Sequence, residues 1–277
     1  MFSSALIVFR EVLEASLIIG IIAAATRGMF NRARWVVTGI GAGVAGSAVV
    51  ATLTGQISEM AEGSGQELFN AGVLGLAVLM LAWHNIWMSR HAKDLVRDAK
   101  QMGTAVNNGE REMSALAIVI ALAVLREGAE TVLFLYGVIV GGQQTMASII
   151  TGALLGLGLG AASGFALYAG FLRIPAKWFF RVTSGLILFL AASMASQMAR
   201  FLVQADRLPS LASPAWDTSH VLSDRSPFGV LLHVLIGYDA IPSGMQVLFY
   251  LTAFTLILAG MWLSGRADST QLRRKFS

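Results

Sequence analysis

The chain has no cysteine, so disulfides and thiolate metal ligation are both closed to it. Charge is almost as scarce. Of 277 residues only 13% are Asp, Glu, Lys or Arg, while 56% are hydrophobic, and the mean hydropathy is +0.68. That balance defines an all-α integral membrane protein. There are four histidines and five prolines. The formal charge of +4 matters less than its distribution, which reads as a membrane-orientation signal and not as the footprint of a nucleic-acid partner.

A window of about 20 residues predicts seven spans, near 4–26, 35–55, 68–88, 114–140, 147–171, 178–203 and 242–263. Arg27, Arg32 and Arg34 follow the first span; Arg90, Lys93, Arg97, Lys100 and Arg111 follow the third. Arg173, Lys177 and Arg181 follow the fifth, and Arg266, Arg273, Arg274 and Lys275 form the tail. The opposite loops hold only Arg207 and Arg225, so the positive-inside rule sets the amino terminus outside and the carboxyl terminus in the cytoplasm. Trp35, Trp83, Trp87, Trp178 and Trp262 fall near the predicted cytoplasmic ends, where indoles favour the interface. The first span is not read as a cleaved signal peptide, because Arg10, Glu11 and Glu14 interrupt its apolar run.

Those three residues belong to a pattern that occurs twice: Arg10-Glu11-Val12-Leu13-Glu14 in span one and Arg126-Glu127-Gly128-Ala129-Glu130 in span four. An ionised side chain at mid-bilayer costs roughly 2.5 to 3.5 kcal/mol on insertion scales, so each copy marks a functional site. The duplication extends further. Thr38-Gly39-x-x-x-Gly43 matches Thr151-Gly152-x-x-x-Gly156, and Gly75 to Met88 aligns without gaps on Gly185 to Met198. The chain is therefore expected to form one permease domain, 1–277, made of repeat one (1–113), repeat two (114–204) and an external loop with a seventh helix (205–277). With three spans in each unit, the repeats must be inverted relative to each other, an arrangement that transporters use to build a midplane site between the halves. The glycines of spans two and five are expected to be helix-packing contacts and not ligands.

Glu11 and Glu14, three apart, share a helix face, and Arg10 lies four before Glu14, within reach of an ion pair; Glu127, Glu130 and Arg126 repeat the pattern. Antiparallel packing of spans one and four would bring four carboxylates together, with Arg10 and Arg126 limiting their charge to −2. Such oxygen-rich sites suit hard cations: Mg²⁺, Ca²⁺, Mn²⁺ and iron. Two other classes remain open. One is a proton-coupled carrier of divalent cations such as Fe²⁺, Mn²⁺ or Pb²⁺. The other is a membrane di-iron carboxylate enzyme, disfavoured because such sites use Glu-x-x-His and neither motif helix has a histidine.

Glu59, Glu62 and Glu67 give the first external loop an acidic character that either concentrates cations at an entrance or is ordinary solvated surface. His84, Met88 and His91 lie along one side of span three near its cytoplasmic end; they form a candidate exit site, or His84 is simply packed in the bundle. The apolar stretch 228–238 with His233, cut off from span seven by Pro242 and Gly244, suggests a half-inserted segment.

The paired Arg-Glu-x-x-Glu motifs in the first and fourth of seven spans resemble the oxidase-dependent iron permease family, which includes fungal high-affinity iron permeases and bacterial EfeU-like iron transporters. The resemblance covers essentially the whole chain, including Trp216-Asp217-Thr218-Ser219, Gly237-Tyr238 and Pro242-Ser243. It implies a non-enzymatic, multi-pass permease of the cell's inner membrane, able to form a homo-oligomer, with the four motif glutamates as ligands. Iron is then the cargo and no permanent cofactor is needed. It also implies a partner that oxidises Fe²⁺, a multicopper oxidase or haem peroxidase, or a periplasmic iron-binding protein, so that Fe³⁺ is handed over. The external ExxE-like motif of fungal members is missing near the last span, where only Asp206, Asp217, Asp224 and Asp239 are scattered.

Overall fold

A computed structural model describes residues 1–60, 65–141, 145–169, 176–224 and 226–275, with the side chains of 57–60, 88–96, 176–180 and 265–275, and several in 227–235, outside the description. Eight helices and no strand are found among the described residues: α1 (Phe2–Ala25), α2 (Arg32–Met60), α3 (Gln66–Asn107), α4 (Met113–Val140), α5 (Met146–Tyr168), α6 (Ala176–Gln204), α7 (Pro227–Ile236) and α8 (Gly244–Lys275). Five of them, α2, α3, α5, α6 and α8, contain stretches long and apolar enough to cross a membrane. The helices α1 and α4 match them in length, at 24 and 28 residues, but each carries the three charges of its motif. The exposed faces of α3, α5 and α8 are apolar, with Leu79, Trp83, Leu154, Phe165, Leu256 and Leu263 all more than half exposed, as expected of a protein solvated by lipid.

The packing of α1 to α6 follows the sequence repeat. The helix α1 lies on α5, α2 on α4, and α3 on α6. Glycines bring the first two pairs into backbone contact. A Cβ on Gly152 would meet Met1 O and Ser4 Oγ, and one on Gly156 would meet Ala5 O and Val8 Cβ. In the partner pair, Gly39 faces Ala117 O and Ile120, and Gly43 faces Ala121 O and Val124. Each residue of one set is the repeat counterpart of a residue in the other. The match survives where the glycine changes sides: Gly160 abuts Val12, and Gly128 abuts Ser47. In both pairs the contacts ascend together along the two chains, so α1 runs parallel to α5 and α2 parallel to α4. Small residues are what allow such close approach without a hydrophobic drive, as expected from the sequence.

The main apolar cluster, Ile7, Leu74, Leu81, Phe134, Ile187, Met194 and Ile257 among others, joins α1, α3, α4, α6 and α8. A second cluster forms where α3 continues past its apolar span. The apolar span expected near 68–88 is found at Gln66–Trp87, and the helix continues beyond it to Asn107, 42 residues in all. Residues 89–102 contain no glycine or proline and are rich in helix formers. Its second half is held by burial of Ala99 and Val106 against Ile22, Leu116 and Ile120. Gly103 permits this, since a Cβ there would lie 2.5 Å from Ala25 Cβ.

The stretch suspected of partial insertion forms the ten-residue α7, with Ser226 capping Gly229 N at 2.9 Å and Pro227 in its first turn. It stops at Gly237, whose φ of +73° places it in the left-handed region, against Tyr250 and Ser193. The preceding loop is tied to the α7–α8 connection. Trp216 Nε1 donates to Asp239 O, Thr218 bonds Tyr238 OH at 2.6 Å, and Ala240 N donates to Asp224 Oδ1 at 3.0 Å.

Candidate metal centre

The two charged motifs sit near the midpoints of α1 and α4, and α1, α3 and α4 pack on one another around them. Helical spacing forms the first link in each copy. Arg10 Nε donates to Glu14 Oε1 at 2.9 Å, and Arg126 Nε donates to Glu130 Oε1 at 3.1 Å. Arg126 also lies 3.8 Å from Glu127 Oε1. These pairs leave the first glutamate of each motif free to point inward. Both oxygens of Glu11 and Oε2 of Glu127 are buried and meet no hydrogen-bond donor among the described residues. Uncompensated carboxylates at such depth are expensive unless a cation completes them.

The third contributor is His84 of α3. Its Nε2 lies 3.5 Å from Glu14 Oε2, and its Nδ1 is in direct contact with Glu130 Oε2. One ligand atom each from Glu11, His84, Glu127 and Glu130 fall within 4.8 Å of one another, a grouping that could hold a metal ion. Glu14 stands one step aside, between Arg10 and the imidazole. All four motif glutamates thus meet at one locus contributed by three helices.

The two halves are not equally enclosed. Arg10, Glu11 and Glu14 are all buried, whereas the Arg126 side chain is 38% exposed. On that flank a cavity of about 560 Å³ reaches the cluster, lined by Leu79, Met80, Trp83, His84, Trp87, Arg126 and Glu130. The Arg126 guanidinium lies 4.7 Å from the centre of the Trp87 ring, a cation–π contact at the mouth.

The other sequence candidates lie elsewhere. His84, named in the sequence as an exit candidate or a bundle-packed residue, lies in the carboxylate cluster. The side chains of Met88 and His91, the other two exit candidates, lie outside the described residues. Glu67 is exposed in the first turn of α3, where a carboxylate complements the helix dipole. Glu59 belongs to the last turn of α2 and not to a loop; its side chain and the whole of Glu62 lie outside the described residues. Of the aspartates scattered near the last span, Asp217, Asp224 and Asp239 make hydrogen bonds in the loop before α8. Ser219, through its hydroxyl and backbone N–H, holds the Asp217 carboxyl below the usual carboxylate range. Asp239 accepts from Ile241 N and Gln246 Nε2. His233 Nδ1 pairs with Tyr238 O at 2.5 Å.

His84 lies outside both charged motifs. Its signal was available: an imidazole followed by Asn85 inside an apolar span is a functional indicator of the same kind as the glutamates. Asn85 itself is structural, donating to Ser184 O at 3.0 Å and tying α3 to α6.

The model of the Iron permease FTR1 family matches residues 1–264. Among curated proteins the chain is similar to the ferrous iron permease EfeU of Escherichia coli O6:K15:H31 (strain 536) and to that of Shigella sonnei (strain Ss046). Each is 33% identical over 99% of both chains. The EfeU of Escherichia coli O6:H1 (strain CFT073) is 34% identical over the same shares. No solved structure matches the chain. A match over nearly the full length, to proteins named as permeases and on a bundle of apolar helices, shows that the chain belongs to the FTR1 iron permease family and is a multi-pass membrane transporter, not an enzyme.

Proposed function

We propose that this permease carries iron into the cytoplasm across the inner membrane, with Glu11, Glu14, Glu127 and Glu130 as the ligands of a mid-membrane site and Arg10 and Arg126 as its charge balance. The observation that carries this reading is the convergence of both motifs on one buried locus where both oxygens of Glu11 and Oε2 of Glu127 meet no donor among the described residues. The chain spans the membrane seven times, amino terminus outside. Parallel packing of α1 with α5 and of α2 with α4 supports this, since alternate crossings then invert the two repeats. The arginine-rich ends support the orientation. The cavity beside Arg126 is the route by which the ion reaches or leaves the cluster.

In this reading a partner oxidises Fe²⁺, a multicopper oxidase or haem peroxidase, and iron is passed on as Fe³⁺, directly or through a periplasmic iron-binding protein. A second reading, that Fe²⁺ itself permeates, is favoured by charge. Four carboxylates, two guanidiniums and a neutral imidazole sum to −2, which one divalent ion balances, and the similar permeases are named ferrous. Uptake of radioactive iron by proteoliposomes tests the site and the species. With ascorbate-reduced and oxidised iron compared side by side, Glu14→Ala and Glu130→Ala should each abolish most uptake. Transport that survives both substitutions unchanged would remove the proposed site.

A further inference from the structure

We infer that His84 is a direct ligand of the transported ion and the residue that selects iron over Mg²⁺, Ca²⁺ and Mn²⁺. The inference rests on the glutamate site proposed above and adds to it a nitrogen donor from outside the duplicated motif. His84 is 3% exposed, its two ring nitrogens are directed at carboxylates of opposite repeats, and it shares a 4.8 Å cluster with Glu11, Glu127 and Glu130. Among the described residues no backbone carbonyl pairs with the imidazole. It bridges Glu14 and Glu130, where an ion would take the same lone pairs.

The repeat shows that the imidazole is not a consequence of the duplication. In the gap-free alignment of Gly75–Met88 on Gly185–Met198, His84 corresponds to Met194. Met194 is buried in the apolar cluster of α3, α4 and α6, where its methyl group would obstruct a side chain at Gly137. One nitrogen is therefore supplied, from one half only, and on the half-site next to the cavity. The chemistry of a mixed site differs from that of four carboxylates alone. An oxygen-only set suits Mg²⁺, Ca²⁺ and Mn²⁺, whereas an imidazole shifts preference toward iron and the later divalent metals. The charge of the site is unchanged by a neutral imidazole, so the gain is in discrimination and not in electrostatic attraction.

The test uses the full-length protein purified in detergent and reconstituted in vesicles. X-ray absorption at the iron edge, on protein loaded with one equivalent of Fe²⁺, should show the outer-shell scattering of one imidazole, and His84→Gln should remove it. Gln keeps a polar group of similar reach but offers a neutral oxygen. Its iron uptake at limiting concentration should fall by about tenfold to a hundredfold, and Mg²⁺, Ca²⁺ and Mn²⁺ should become effective competitors. His84→Asn serves as the second variant should the glutamine protein fail to accumulate. Iron bound through oxygen alone in the wild type, or an unchanged competition series in both variants, would overturn the role of His84 and leave the glutamate site standing. Iron binding that persists in Glu11→Gln combined with Glu127→Gln would overturn the site itself.

Discussion

Gly156 offers a strict test of how the bundle holds the site. An ideal Cβ there lies 2.4 Å from Ala5 O, 2.9 Å from Phe9 N and 3.0 Å from Val8 Cβ. Two of those atoms are backbone, so no rotamer change relieves the clash, and α1 must move away from α5 by about 1 Å to restore ordinary contact. Gly158, half a turn on, has nothing within 4 Å of the same added atom. Replacing either glycine with alanine gains the same helix propensity, up to about 1 kcal/mol, so that contribution cancels between the two variants. What remains is the overpacking strain at 156, about 1–3 kcal/mol. Because α1 carries Arg10, Glu11 and Glu14, the displacement also pulls half of the carboxylate cluster out of register with α4. Gly156→Ala should therefore lower thermal stability in detergent and cut iron uptake in vesicles well below half, while Gly158→Ala leaves both at or above wild type. The repeat doubles the test. A Cβ at Gly43 would lie 2.6 Å from Val124 Cβ, and Gly41 is open, so that pair should show the same contrast. Equal behaviour of Gly156→Ala and Gly158→Ala would refute the packing argument.

Two further outcomes follow from the asymmetry of the centre and from the absence of cysteine. Arg10→Lys should impair uptake more than Arg126→Lys, because Arg10 is 1% exposed and its guanidinium Nε–H bonds Glu14 inside the bundle, while Arg126 is 38% exposed beside the cavity; equal uptake by the two variants in the vesicle assay would contradict this. The cysteine-free chain makes single-cysteine labelling unambiguous. Glu67→Cys should react with an impermeant maleimide in intact cells and Arg97→Cys only after permeabilisation, and the reverse pattern would invert the proposed orientation.

Much of this molecule could be read in one dimension. Lipid forces backbone polar groups to be satisfied within the helix, so apolar runs of the right length had to be helices. Helical periodicity likewise placed Glu14 within reach of Arg10, and Glu130 within reach of Arg126, before any packing was known. The glycine pairs at 39/43 and 152/156 announced close contacts because only small residues allow such approach.

Hydropathy could not indicate where α3 ends, since its charged second half is helical for reasons of propensity and is held by burial of Ala99 and Val106 on other helices. Nor could it show that His84, far along the chain from both motifs, stands between them, because depth in a bundle depends on how helices cross and overrun the bilayer. The sequence by itself determined that four carboxylates and two guanidiniums lie within long apolar helices, through the periodicity and hydrophobicity of single helices. The tertiary structure alone decided which of those groups are left without partners, which flank is open, and which imidazole joins them, because each of these depends on contacts between helices that no local pattern encodes.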